Sequence, residues 1–425
     1  MHLYLSLDLY YYLFIILDML EKILLLKNPK YILILILLLT AFLRLYRLDY
    51  PNKYIFDEVY HGFTATEYLK GSKEAWEWWT KAPEGVAYEW THPPLAKEIM
   101  TASMFITRSQ DAWAWRLPAA LLGILSVFVV YKLGLILLKN NSSALIATFI
   151  FSIDGLNFVQ SRIGMNDIYH VTFFLLSLLT LLNKRVIFSA ILFGLAISSK
   201  WAAIYGLLFL FIPYLLFKQQ YRKLTLFIII PPLVYLTSYI PFFLHGHALD
   251  QFIKLQQQMW WYHTGLKAAH DYASPWWSWP LNLYPVWYFV DYQKDKIANI
   301  FASGNPPVFW FGIIALILTG WEAVKKRSFN LFLILMGFLV FWLPWAISPR
   351  IMFLYHYSPS VPFLTLALGH QLGSRFDNKR KGMVLLLLSI MVAGFILLFP
   401  FLTGMHIPSF LVHLFFLTNL TKNPF

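Results

Sequence analysis

The chain has 425 residues, of which 59% are hydrophobic, 19% aromatic and only 13% charged. A water-soluble protein of this length could not bury so much apolar surface, so the composition excludes a soluble enzyme and points to a polytopic membrane protein. The formal net charge of +13 does not signal nucleic acid, because the basic residues sit in short loops between apolar runs, and the lack of cysteine removes disulfides, thiol nucleophiles and thiolate metal sites.

The apolar runs are unbroken over helix length and do not alternate, so the spans are helices and not barrel strands. Residues 1–26 are apolar but carry Asp8, Asp18, Glu21 and Lys22 at roughly helical spacing, which reads as an interfacial amphipathic helix and not as a secretory signal. The first span covers about Lys30–Leu45. A polar, aromatic loop over about 47–110 follows, with Asp57 and Glu58 near its start and His92-Pro93-Pro94 and Lys97 near its end.

Further spans are expected at Pro118–Leu138, Ser142–Gln160, from the junction at Asp167 to Asn183, Val186–Ser198, Ala202–Phe217 and Leu224–Leu244. The last contains Pro231, Pro232 and Pro241, tolerable in lipid where neighbouring helices re-satisfy the freed carbonyls. A second long loop, 245–305, is rich in Trp, Tyr and His. Spans at Pro307–Ala323, Phe329–Ile347, Ile351–Leu372 and Met383–Leu402 complete the chain. The expectation is an all-α polytopic membrane protein of about eleven transmembrane helices. It divides into an N-terminal membrane region (1–244), the second outer loop (245–305) and a C-terminal membrane region (306–425).

The loops sort by charge. Lys27 and Lys30, Lys139, Lys184 and Arg185, Lys218 with Arg222 and Lys223, Lys325–Arg327, and Lys379–Lys381 all fall on one side, the cytoplasmic one. Arg162, Lys200 and Arg350 stand alone at helix ends on the other side, against that tendency. Any one of them fits interfacial snorkelling. Three together, level with Asp57 and Glu58, suit a lipid-linked phosphate entering sideways from the bilayer, since Arg and Lys neutralise phosphate oxygens. One carboxylate could then take the proton of an acceptor hydroxyl as it attacks a sugar carbon, while the cations stabilise the leaving phosphate.

Other features read more plainly. His245, His247, His263 and His270 fit no compact ligand motif, so no metal is expected. Trp276 and Trp277 open a Trp-rich stretch that reads as an interfacial aromatic belt, or as a platform for a sugar or an acceptor peptide.

At these residues the chain resembles the protein O-mannosyltransferases, members of the GT-C membrane glycosyltransferases. The resemblance rests on Phe56-Asp57-Glu58-Val59-Tyr60-His61-Gly62, Thr91-His92-Pro93-Pro94-Leu95-Ala96-Lys97, Gln160-Ser161-Arg162-Ile163-Gly164-Met165-Asn166-Asp167, and Ser274–Pro280 running on to Pro285-Val286-Trp287-Tyr288. It implies inverting transfer of mannose from a polyprenyl- or dolichyl-phosphate donor to Ser or Thr hydroxyls of translocated proteins, with no cofactor or metal. It implies catalytic acids at Asp57 and Glu58 and a donor phosphate near Arg162 and Lys200, with Arg350 added by extension. It also marks His61, His92, Lys97, Asp167, Trp276 and Trp277 as loop-support or substrate-contact positions. Two departures stand out: Asn166 occupies a position where the pattern has an apolar residue, and the second loop is too short for the carbohydrate-binding-like insert of eukaryotic members. A prokaryotic cell-membrane enzyme, with its site on the outer face, is therefore expected.

Two rivals remain at this stage. One is a lipid-phosphate-sugar transferase acting on a lipid or glycan. The other is a transporter, which would need inverted repeats and mid-membrane charges that the sequence does not display.

Overall fold

The structure is a computed structural model that describes residues 28–378 and 380–415. The amphipathic helix expected over residues 1–26, and Lys379 of the last basic loop, lie outside the described residues. Helix α1 (Pro29–Leu45) begins where the Asn28 side chain accepts from the Lys30 amide at 3.0 Å and Pro29 takes the first turn. The first loop carries α2 (His61–Leu69) and α3 (Leu95–Thr107). Then come α4 (Ala112–Leu138), α5 (Asn141–Ser152), α6 (Gly155–Gln160), α7 (Asp167–Leu182), α8 (Val186–Ser199), α9 (Trp201–Phe217), α10 (Tyr221–Thr237) and α11 (Ile240–Leu244). The second loop folds into α12 (Leu249–Thr264) and a hairpin of β1 (Val286–Gln293) and β2 (Lys296–Ala302). Helices α13 (Pro306–Lys325), α14 (Phe329–Ile347), α15 (Val361–Asp377) and α16 (Lys381–Thr403) follow, and β3 (Ile407–Pro408) adds to the hairpin. By length and composition α4, α13, α14 and α16 can cross a membrane, and α5, α7, α8 and α9 are shorter and apolar.

Several expected spans are interrupted, each for a local reason. The run 142–160 breaks at Asp154, whose carboxylate accepts from the Asn157 amide at 2.8 Å and starts α6. The run 224–244 stops at Thr237 and restarts at Ile240, where Pro241 sits in the first turn of α11. The run from Ile351 first forms 3-10 turns at Leu354–Ser360 before α15 begins, again with a proline in its first turn.

The second loop departs from an all-helical expectation. Its two strands β1 and β2 pair antiparallel, with Val286 opposite Ala302 and Gln293 opposite Lys296, and β3, from beyond α16, adds to β2 in the order β1-β2-β3. The signal was present: β-branched and aromatic residues flank the two-residue turn Lys294-Asp295, where Lys294 adopts a φ of 41°. Small residues set the closest helix contacts in the interior. A Cβ on Gly369 of α15 would lie 2.5 Å from the Cβ of Ala147 in α5, so these two backbones approach only because glycine is there.

Candidate active site

Residues Phe56–Val59 form a single 3-10 turn, entered through Phe56 at a φ of 46°. That left-handed conformation is uncommon for a bulky residue. It is held by the Phe56 ring stacking on Tyr288 with centroids 4.1 Å apart. The turn gives the two adjacent acids quite different surroundings.

Glu58 is 0% exposed. Its Oε1 accepts from Arg116 Nε at 2.7 Å, Trp115 Nε1 at 3.1 Å and the Gly164 amide at 2.7 Å, and its Oε2 from Arg116 at 2.6 Å and the Ile55 amide at 3.2 Å. Arg116 also donates to the Leu48, Pro51 and Lys53 carbonyls. Glu58 therefore ties the first loop to the start of α4 and to the junction after α6. Gly164 permits this, because a Cβ there would lie 2.8 Å from Trp115 and 3.2 Å from Glu58 Oε1. Such a carboxylate has no face left for a substrate proton.

Asp57 is half-buried. Burial, reinforced by Glu89 and Asp167, pushes its carboxyl up to about 7, while Lys200 and Arg350 act in the opposite sense. Glu89 is buried, accepting from Thr91 Oγ1 at 2.7 Å and the His92 amide at 2.8 Å, with its second oxygen 3.9 Å from His61 Nε2. Burial, aided by the charges of Lys97 and Lys200, pushes the His61 imidazole down to about 4 and so keeps it neutral near pH 7. Lys97 is 1% exposed and donates to the His92 carbonyl at 3.0 Å and the Pro93 carbonyl at 3.4 Å, so it braces the His-Pro-Pro turn.

Beside this loop lies a cavity of about 690 Å³. Its polar lining includes His92, Lys200, His263, Arg350 and His356. Its apolar wall comes from α14, through Met336, Leu339, Val340, Leu343 and Ile347. Lys200 pairs with Asp167 at 2.7 Å, and both are buried. The second oxygen of Asp167 has no hydrogen-bond partner. Arg350 reaches His263 Nδ1 and lies over the Tyr262 ring, 5.2 Å from its centroid. The described residues contain no group of three or more His, Asp or Glu arranged to hold a metal ion.

The remaining expected site residues lie elsewhere. Arg162 does not line the cavity. Its guanidinium donates to the carbonyls of Leu43 at 2.9 Å, Arg44 at 2.8 Å and Arg47 at 3.3 Å, which closes the C-terminal turn of α1. Trp276 accepts at its carbonyl from Trp342 Nε1 at 2.9 Å, and Trp277 is 51% exposed; neither lines the cavity. Of the tryptophans in that stretch, Trp279 is the fully buried one.

Comparison with known proteins gives this geometry a family. A family model described as dolichyl-phosphate-mannose-protein mannosyltransferase matches residues 34–262, and one described as the C-terminal four-TMM region of protein-O-mannosyltransferase matches 248–416. The chain belongs to the protein O-mannosyltransferase family. Similar curated proteins are the polyprenol-phosphate-mannose–protein mannosyltransferases of Mycobacterium tuberculosis, 24% identical over 74% of this chain and 78% of that protein, and of Corynebacterium glutamicum, 24% identical over 75% and 79%. The fold is similar to that of the Saccharomyces cerevisiae Pmt1-Pmt2 complex bound to the sugar donor, with a TM-score of 0.74, 16% identity and coverage of 90% of this chain and 91% of that one. It is also similar to ArnT from Cupriavidus metallidurans bound to undecaprenyl phosphate, with a TM-score of 0.61, 15% identity and coverage of 85% and 63%. The GT-C-type membrane fold expected from the sequence holds, and so does the reaction class, mannose transfer from a lipid-phosphate donor to protein.

The sequence reading passed over Arg116 and Glu89, and weighed His263 only as a metal ligand. Arg116 carried a usable signal: it is a lone cation at the end of an apolar span, as Arg162, Lys200 and Arg350 are. Glu89 lies three residues before His92 in a loop with many acids, and nothing in its spacing sets it apart.

Proposed function

We propose that Asp57 is the general base of this mannosyltransferase, and that Lys200 and Arg350 hold the phosphate of the lipid donor on the outer face of a prokaryotic cell membrane. The observation that carries this reading is the pairing of one half-buried carboxyl, raised to about 7, with two cations on the wall of an adjoining apolar cavity. A base with that value is ionised for a good fraction of the time near neutral pH and still binds a proton firmly. The Ser or Thr hydroxyl oxygen attacks the anomeric carbon of the mannose, and its proton passes to Asp57. The bond from that carbon to the phosphate oxygen breaks, its electron pair stays on the phosphate, and Lys200 and Arg350 stabilise the added negative charge. One displacement inverts the anomeric centre. A leaving phosphate needs no proton, so no second carboxylic acid is required, unlike in the glycosidases.

Glu58, in this reading, supports the loop and takes no part in proton transfer, and Arg162 supports the end of α1 and not the phosphate. The side chains of α14 suit a polyprenyl tail, since they are apolar and run along one wall of the cavity. The charge asymmetry of the loops supports placing the site outside. The test is donor kinetics in liposomes: Lys200→Ala and Arg350→Ala should each raise the KM for polyprenyl-phosphate mannose, and Arg162→Ala should leave it within about twofold. Equal KM effects from all three would reject this division of roles.

A further inference from the structure

Helix α12 packs on the outside of the first loop through Phe252, Leu255 and Met259, spaced as one helical face, against a cluster that includes Trp76 and Phe242. At its last turn this helix delivers His263 to the point where three parts of the chain meet. His263 Nε2 lies 2.8 Å from the Thr91 carbonyl, its Nδ1 faces the Arg350 guanidinium, and its ring centroid lies 5.0 Å from that of His92. These contacts fix its tautomer. A carbonyl only accepts, so Nε2 carries the hydrogen, and a guanidinium only donates, so Nδ1 offers its lone pair. Among the described residues no carboxylate pairs with Arg350; its side chain meets His263 and the Tyr262 ring.

We propose that His263 is a positioning residue for the lipid-phosphate site, aiming Arg350 into the cavity and tying it through Thr91 to the loop that carries the base. The proposal rests on Arg350 acting as a phosphate cation, as argued above. Thr91 precedes His92, whose amide donates to Glu89, and Glu89 in turn acts electrostatically on Asp57. His263 thus joins the loop that carries the base to the cation at Arg350. Burial and the charge of Arg350 push its imidazole down to about 4, which keeps the acceptor lone pair available across the neutral range.

The experiment compares wild type with Arg350→Ala, His263→Phe, His263→Gln and His263→Asn, using polyprenyl-phosphate mannose and a Ser/Thr peptide in liposomes. Phenylalanine keeps the ring and loses both polar contacts. Glutamine can place an amide N–H on Thr91 and its oxygen on Arg350, whereas the shorter asparagine reaches only one of them. Losing the hydrogen bond that orients a charged group should raise the donor KM about tenfold. The expected pattern is that rise in His263→Phe with kcat within about threefold, a donor KM near the wild-type value in His263→Gln, and no further rise when His263→Phe is added to Arg350→Ala. If His263→Phe does not accumulate as folded protein, the glutamine–asparagine pair carries the test, with the donor KM rising only in the asparagine variant. A donor KM unchanged in Arg350→Ala would remove the phosphate reading itself. One raised in Arg350→Ala but the same in all the His263 variants would overturn the positioning role and leave the phosphate reading standing.

Discussion

Replacing Arg116 with alanine isolates the structural half of the Asp57-Glu58 pair. Arg116 touches no reacting group in this account, yet it makes two buried bonds to Glu58 and three to backbone carbonyls, of which those to Leu48 and Pro51 are buried too. Its removal leaves Glu58, 0% exposed, as a buried charge without its partner. Breaking such a pair from one side costs about 3–5 kcal/mol, a large part of the 5–15 kcal/mol that holds a typical domain folded. Glu58→Ala should cost a similar amount, because it leaves Arg116 buried and unpaired. The double variant should be less damaging than the sum, with a coupling of roughly 2 kcal/mol or more, since neither charge is then stranded. The assay is unfolding of the detergent-solubilised protein for wild type, both single variants and the double. Single variants that unfold like wild type, or a coupling near zero, would refute the view that Glu58 serves as an anchor.

Four further outcomes are expected. The acid limb of the kcat/KM profile should have an apparent pKa near 7, and Glu89→Gln should move it to lower pH, because Glu89 helps to raise the Asp57 value; a limb that stays in place would detach Glu89 from the base. Asp57→Asn should be inactive yet at least as stable as wild type at pH 8. The folded carboxyl binds its proton more tightly than the unfolded one, so the stability linked to Asp57 is complete at low pH and lost as pH rises through about 7; a melting temperature clearly below wild type at pH 8 would contradict this. Arg162→Ala should cost about 2–3 kcal/mol through the carbonyls it leaves at the end of α1, which a denaturation series would reveal. Gly164→Ala should lower stability and activity together, because its Cβ meets Trp115 and Glu58; full activity with an unchanged melting temperature would show that the junction yields.

The membrane architecture was legible because long apolar runs and basic loops report directly on solvent, and solvent is what the fold must satisfy. Interruptions were less legible: Asp154 and Pro241 are single residues inside apolar runs, and whether they cap, kink or pass through depends on neighbours distant in sequence. The hairpin at Val286–Ala302 was missed because an aromatic, Trp-rich loop already had a reading as an interfacial belt. At the site, residue type and spacing pointed to acids facing cations. They did not separate the surroundings of Asp57 from those of Glu58, which a 3-10 turn and a left-handed Phe56 aim in different directions. Arg162 and Lys200 were alike as lone cations at the ends of apolar runs, yet one closes a helix end and the other lines the cavity. That distinction resides in tertiary contacts alone.

The central claim, that Asp57 activates a protein hydroxyl toward a lipid-phosphate mannose, is tested most directly by a single transfer experiment. Purified protein in liposomes would be given radiolabelled polyprenyl-phosphate mannose and a Ser/Thr-rich peptide, alongside the Asp57→Asn and Glu58→Gln variants. The account predicts labelled peptide with wild type, none with Asp57→Asn, and residual transfer with whatever Glu58→Gln remains folded. Label on the peptide with Asp57→Asn at the wild-type rate, or donor consumed with all label appearing on lipid or glycan, would contradict it.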